Sequence, residues 1–379
     1  MSRQPTPTSP RAWVEVDLGA LRRNGAALAD RARVPLLAVI KADGYGLGAI
    51  RVAGALEPLD PWGFGVATVP EGLELRDAGV SRPILVLSPV LPDEYDAIRR
   101  GSLRPSLGSA AAIAEWARTG GGPWHLSIDT GMNRAGISWT EVNALRETLG
   151  QTVPEGAYTH FHSADLNDDS PGEQLRRFRC ALEALPSRPR YLHAENSPAI
   201  ERGGESSWDL ARPGVFLYGV GGGPGAKMSP EPVAHLRARV VDLRTVSEGD
   251  TVSYGATWRA RGRQRIATLG IGYADGYRRA LSNRGSVLLN GQRVAVAGIV
   301  TMDMTMVDVT DVPCEIGDVA TLIGRDGDAV LTVDDVATTA DVLSYELLIG
   351  LKLRVPRFYV NAAGDAHEAD AEPARATRR

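Results

Sequence analysis

Between residues 17 and 218, short β-rich runs alternate with amphipathic helical stretches, and this alternation constrains the fold more than any other feature. The runs are PLLAVIK, WGFGVA, PILVLS, LRPSL, WHLSID, AYTHF, RYLHAE and VFLYG. Strands that alternate with helices pair in parallel, because a crossover helix returns the chain to start the next strand in the same direction. Eight runs predict an N-terminal (β/α)8 barrel of the TIM type, with its chemistry at the C-terminal ends of the strands. Two intervening helices are legible in detail. Asp17–Asp30 has Asp17 as N-cap and Leu18, Leu21 and Leu28 on one face, and Ser109–Arg118 has Ser109 as its cap.

After GGGPGAK the texture changes. VAHLRARVVDLRTV, TVSYGATW, RIATLGIGY, SVLLNGQRVAVAG, TMDMTMVDV and DVATLIG are β-branched and turn-punctuated, which predicts a C-terminal, mostly β-strand domain. Asn290-Gly291 between two alternating runs signals a two-residue hairpin. The expected organisation is an untethered N-terminus at 1–10, a barrel at 11–230 and a β domain at 231–361. An untethered tail at 362–379 follows, and the first strand, 12–18, is free to pair into the β domain.

Composition narrows the function. With 43% hydrophobic and 23% charged residues the chain can fill two full cores, and a net charge of -4 gives no general attraction to nucleic acid or anionic membrane. The opening MSRQPTPTSP lacks the apolar core of a signal peptide, and no apolar run is long enough to span a bilayer. Two distant cysteines, Cys180 and Cys314, form neither a disulfide scaffold nor a zinc site. The expectation is a cytoplasmic protein acting on small molecules.

Five strand ends carry residues suited to chemistry. PLLAVIKADGYGLG places Lys41 after a buried run and before a glycine-rich loop. Partial desolvation there lowers an amine's pKa and lets it attack a carbonyl, although a lysine snorkelling from a strand end has the same pattern. In SIDTGMNRAG, Arg134 is placed to hold a carboxylate bidentately or to pair with Asp129. In AYTHFHSAD, strand alternation puts His160 and His162 on one face, an arrangement that a metal hydrolase would also use with His193. HAENSPAI offers Asn196 and Ser197 at a helix start suited to a phosphate. LARPGVFLYG adds the Gly214 and Val215 amides, and also Arg212, either a permanent donor to a ring nitrogen or a surface salt bridge.

Taken in order, AVIKADGYGLG, DTGMNRAG, THFHSAD, HAENS, ARPG, SYGATW, GYADGY and MDM resemble the alanine racemases over essentially the whole chain, from AWVEVDL to RVPRF. The resemblance implies a pyridoxal 5'-phosphate-dependent enzyme of fold type III that interconverts L- and D-alanine and supplies D-alanine for cell-wall peptidoglycan. It implies a head-to-tail homodimer with shared active sites, and no metal ion. Lys41 would bear the cofactor and act as one base, with Tyr254 of the partner subunit as the other. Tyr45, Asn196, Ser197, Gly214 and Val215 would line the phosphate, Arg212 would face the ring nitrogen, and His160 would bridge towards Arg212. Arg134 would engage cofactor and substrate, and the partner subunit would also supply Tyr273 at the entry and Met302 and Asp303 beside the substrate.

Two positions depart from the family pattern. Ser127 stands where many members have a lysine that buttresses the arginine, and Leu353 in LKLRVPR stands where a tyrosine is usual. The second departure keeps a broader racemase, acting for example on serine, as an alternative. A fold type III amino-acid decarboxylase is a further alternative, against which stands the absence of a cysteine in a CESGD-like setting. A non-enzymatic cofactor carrier would have no use for SYGATW and GYADGY.

Overall fold

A computed structural model of the protein describes residues 10–361, except 167, 204, 205, 222 and 224. The expected untethered ends, 1–10 and 362–379, lie outside the described residues apart from Pro10. The described residues form two compact units, one within 21–231 and the other comprising 10–20 together with 232–361.

In the first unit the strands Leu37–Val39, Gly63–Val66, Ile84–Pro89, Arg104–Leu107, His125–Asp129, Gly156–Tyr158 and Tyr191–His193 pair in parallel in that order. They are short and mostly buried, as expected for parallel strands covered by helices, so their runs read as almost continuously apolar. The intervening helices are held by local signals. Thr68 and Glu71 form a capping box on the helix Val69–Asp77, and Ser109 Oγ caps Ala110–Arg118 through the Ala112 N–H. The Asp17 carboxylate accepts the Ala20 N–H at 2.8 Å at the start of Leu18–Ala32.

The eighth barrel position differs from the expectation. VFLYG is not a strand: Val215–Tyr218 is a short 3-10 turn. The sheet is closed instead by Ala211 and Arg212, which bridge in parallel to Leu36 and Asn196. The Leu37 and Val39 N–H groups reach the Ala211 and Pro213 carbonyls at 2.8 Å, and the Arg212 N–H reaches the Glu195 carbonyl at 2.8 Å. This stretch is hidden in the sequence because Arg212 breaks the apolar run and Pro213 contributes no donor to a ladder.

The second unit is built around the 13-residue strand Ala234–Val246. It pairs antiparallel with Ala12–Asp17, Gln264–Leu269 and Val319–Asp326, and Ala12–Asp17 also pairs in parallel with Arg357–Val360. Asn290 and Gly291, with φ of 50° and 76°, join Ser286–Leu289 to Gln292–Ala295 by the expected two-residue turn, in which both central residues must be left-handed. Two short helices, Val333–Ala340 and Ser344–Ile349, complete an otherwise strand-built unit. Among the described residues no helix is long and apolar enough to cross a membrane.

Candidate active site

Lys41 follows the first barrel strand and opens an unusual piece of backbone. Ala42, Asp43, Gly44 and Tyr45 are all left-handed, with φ between 53° and 59°. Three of them carry side chains, each at a cost of about 1–2 kcal/mol, so the surroundings must determine this turn. The Glu71 carboxylate accepts the Ala42 N–H at 2.8 Å, and Asp43 accepts the Ala49 N–H at 2.8 Å. The Tyr45 ring stacks 4.5 Å from that of Tyr218, whose hydroxyl donates to the Val39 carbonyl at 3.0 Å. Burial lowers the pKa of the Lys41 amine, Arg134 lowers it further, and Glu71 opposes both.

Arg134 lies on the exposed loop after His125–Asp129. Asp129 Oδ1 accepts the Gly131 N–H at 2.7 Å, and no ion pair joins this carboxylate to Arg134 among the described residues. The two histidines of THFHS do not share a face. The strand ends at Tyr158, so alternation does not extend to them, and exposed His162 turns to Ser163 Oγ while His160 turns towards Arg212. Among the described residues no three His, Cys, Asp or Glu side chains gather as a metal-binding group. Burial, together with Arg212, Arg134 and Lys41, pushes the His160 pKa down to about 3, so its ring is neutral at physiological pH.

Arg212 is 3% exposed and held from several sides. It donates to His193 Nδ1 at 2.8 Å and to the carbonyls of Thr159 and Ala194 at 2.6 and 3.0 Å, none of which uses Nε. Its pKa falls to about 10 through burial, still high enough to keep the guanidinium charged near neutral pH. Because arginine only donates, His193 Nδ1 must accept, which leaves its Nε2–H for His125 Nδ1 at 2.8 Å. Arg212 therefore rests on a neutral histidine pair inside the barrel.

Ser197 Oγ accepts the N–H groups of Gly214 and Phe216 at 2.8 and 3.4 Å, and Asn196 Oδ1 accepts the Ala199 N–H at 3.2 Å. A Cβ at Gly214 would lie 2.9 Å from the Tyr45 hydroxyl, so a side chain there would crowd it. Tyr45, Ser197, Gly214 and Val215 thus meet at one corner of the barrel mouth.

A further positioning residue escaped the sequence reading. Gln174 is buried on the helix Ser170–Glu183, where it donates to Thr130 Oγ1 and the His160 carbonyl and accepts the His162 N–H, at 3.1, 3.0 and 3.1 Å. It ties together the two strand ends that carry Arg134 and His160. The available signal was a polar residue on the same helix face as Phe178 and Ala181.

The remaining candidates lie in the second unit. Tyr254 is 73% exposed on a short turn anchored by the bond from Ser253 Oγ to the Ile299 carbonyl at 2.7 Å. Tyr273 and Met302 are neighbours, because the Tyr273 and Ala274 N–H groups bond to the carbonyls of Thr301 and Met302 at 2.9 and 3.0 Å. A Cβ at Gly272 would lie 2.3 Å from the Thr301 carbonyl, which keeps these two backbones close. Asp303 is held by Arg354, which also binds Asp275, at 2.7 and 2.6 Å.

Comparison with known proteins gives the family of both units. Residues 16–221 match the family model described as alanine racemase, N-terminal domain, and residues 233–359 match alanine racemase, C-terminal domain. An alanine racemase of Symbiobacterium thermophilum is 40% identical over 373 residues, covering 92% of this chain and 96% of the relative. The crystal structure of alanine racemase from Bacillus anthracis with bound L-Ala-P aligns at 32% identity with a TM-score of 0.85, covering 96% of this chain and 98% of that one. That from Bartonella henselae with covalently bound pyridoxal phosphate aligns at 29% identity and a TM-score of 0.86, covering 93% and 100%. The strand ends, the composition of the barrel mouth and the matches across both units lead to one conclusion: the chain belongs to the alanine racemase family of isomerases.

Proposed function

We propose that the protein interconverts L- and D-alanine by a two-base mechanism, with pyridoxal 5'-phosphate at the barrel mouth and each active site shared between two copies of the chain. The observation that carries the reading is the cluster formed by Lys41, Arg134, His160 and Arg212. It combines an amine of lowered pKa, a neutral imidazole and a guanidinium fixed by surrounding acceptors.

These residues fit the cofactor. Lys41 supplies the amine that holds it, and Tyr45, Ser197, Gly214 and Val215, with Asn196 ordering the turn, supply a cup for its phosphate. Arg212 would donate a hydrogen bond to the ring nitrogen and leave it unprotonated, because a charged guanidinium is a poor proton source. When bound, the cofactor's conjugated ring withdraws electrons and acidifies the hydrogen on the substrate's α-carbon.

The chain's own groups then move that proton. The Lys41 amine removes it from D-alanine, and Tyr254 of the second copy, acting as its phenolate, removes it from L-alanine. Each returns a proton on its own face. His160 turns Nδ1 towards Arg212, so Nε2 carries the hydrogen and is free to donate to the Tyr254 oxygen. Arg134 holds the substrate carboxylate, and Tyr273, Met302 and Asp303 of the second copy bound the space beside it. Exposed Tyr254, Tyr273, Met302 and Met304 on one unit support a second copy covering this surface. We place the enzyme in the cytoplasm, where its product D-alanine would feed cell-wall peptidoglycan.

A chiral assay with either pure enantiomer of alanine tests the reading. Wild-type protein should converge on a mixture of both, and Lys41→Ala should lose at least about 1,000-fold in rate. Borohydride should fix the cofactor on the peptide containing Lys41. A label on another lysine, or no interconversion by cofactor-loaded protein, overturns the assignment.

A further inference from the structure

The Glu71 carboxylate bonds to more than its own helix. A capping box uses the glutamate to receive the N–H of the N-cap residue, and Glu71 Oε2 does so with Thr68 at 3.2 Å, also accepting Ala67 N–H at 2.7 Å. Its other oxygen, Oε1, leaves the helix and accepts the N–H of Ala42 at 2.8 Å. Ala42 is the first left-handed residue and directly follows Lys41, so this one bond joins the second barrel strand end to the peptide that sets the direction of the lysine.

We propose that Glu71 is a positioning residue for Lys41: it locks the first peptide of the left-handed turn and sets a negative charge against that of Arg134 at the lysine amine. The proposal rests on Lys41 as the cofactor-bearing amine and adds what fixes and tunes it. The charged or titratable groups that act on or beside this amine are Glu71 from the helix Val69–Asp77, Arg134 from the loop after His125–Asp129, and His160 after Gly156–Tyr158. His160 is neutral, so near pH 7 the balance lies between Glu71 and Arg134. Burial and Arg134 favour the uncharged amine, and Glu71 favours the charged one. Removing the Glu71 charge therefore shifts the amine further towards its neutral form, and its deprotonation moves to lower pH.

The test separates this role from helix capping. Full-length wild type, E71Q and T68V are stripped of cofactor and pulse-acetylated across a pH series, and modification of the Lys41 peptide is read by mass spectrometry beside each protein's melting temperature. T68V removes the other half of the cap without touching Ala42. The expected result is a midpoint for Lys41 lowered by about half to one pH unit in E71Q, the size of a partly screened charge at close range. T68V should melt earlier but keep the wild-type midpoint.

Should E71Q fail to fold, E71D retains the charge but withdraws it from Ala42 by one methylene, and its midpoint should move in the same direction by less. A wild-type midpoint in the folded glutamine variant, or in the aspartate variant if that alone folds, overturns the proposal and leaves Glu71 as a helix cap. Borohydride mapping fails separately if Lys41 is not the cofactor lysine, because the acetylation midpoint reads the Glu71–Lys41 coupling whatever the amine does.

Discussion

The two units present their candidate residues in opposite ways. In the barrel unit Arg212 and Ser197 are 3% and 1% exposed, and the two terminal nitrogens of Arg212 and Ser197 Oγ are bonded to neighbouring groups. In the β unit Tyr254, Met302 and Tyr273 are 73%, 54% and 40% exposed. Arg212 and Ser197 behave as parts of a preorganised pocket, with orientations set before any ligand arrives. Tyr254, Met302 and Tyr273 are set on firm backbone but their side chains face outward, whereas Asp303 is already paired with Arg354. The difference teaches that folding alone fixes these barrel groups, whereas the exposed β-unit groups would join the chemistry only under the proposed second copy.

The largest expected effect tests that division directly. Lys41→Ala and Tyr254→Ala should each be nearly inactive alone. In a mixed dimer one composite site carries both defects and the other carries neither, so equal, random reassociation should restore roughly a quarter of all sites. Co-refolding followed by the chiral assay measures this. Inactivity in a mixture proven to contain mixed dimers would place both bases in one chain and break the comparison.

Acid should distinguish the units by a smaller amount. His125 and His193 are fully buried, and burial first of all lowers the pKa of both, as it does for His160, which falls to about 3. Among the described residues of the β unit His235 is the one histidine, and burial lowers its pKa too. Each such histidine binds a proton more readily unfolded than folded. The stability it contributes is therefore present above the unfolded value of about 6.5 and lost as pH falls below it. Three histidines set a ceiling of roughly 4 kcal/mol per pH unit for the barrel, against roughly 1.4 for one. Hydrogen exchange at pH 7 and pH 5 should show protection falling more steeply in barrel peptides than in β-unit peptides. Equal losses would mean that the buried histidine pair does not dominate the acid response.

The smallest effect concerns Leu353, 75% exposed at the position where the resemblance to the alanine racemases leads us to expect a tyrosine. A less polar side chain should admit serine or a larger amino acid, and Leu353→Tyr should narrow that preference by about 10-fold in kcat/KM relative to alanine, the scale of one modest pocket contact. An unchanged preference ratio across a panel of amino acids would remove Leu353 from the specificity surface.

Much of this was legible in the residues. Seven strands, the Ser109 and Asp17 caps and the Asn290-Gly291 turn follow from local preferences that neighbouring residues satisfy among themselves. Lys41, Arg134, His160 and Arg212 stood out because each was a polar residue at or just beyond an expected strand end. Less legible were the closing position at Ala211 and Arg212, the divergence of His160 from His162, and the roles of Gln174 and Glu71. The first lacks strand-like composition, the second lies beyond the strand whose period was extrapolated, and the last two act through partners 12 to 44 residues away.

The sequence by itself determined the alternation of elements, the change to a strand-built second unit and the set of residues able to do this chemistry. Those follow from periodicity, turn chemistry and side-chain type, which operate over a few residues. Only the tertiary structure decided which way each of those residues points and what state it is in. A left-handed turn after Lys41, a guanidinium resting on a neutral histidine pair and an imidazole held unprotonated all depend on groups brought together from distant strands. Burial and the field of neighbouring charges are properties of that assembly, and no single segment contains them.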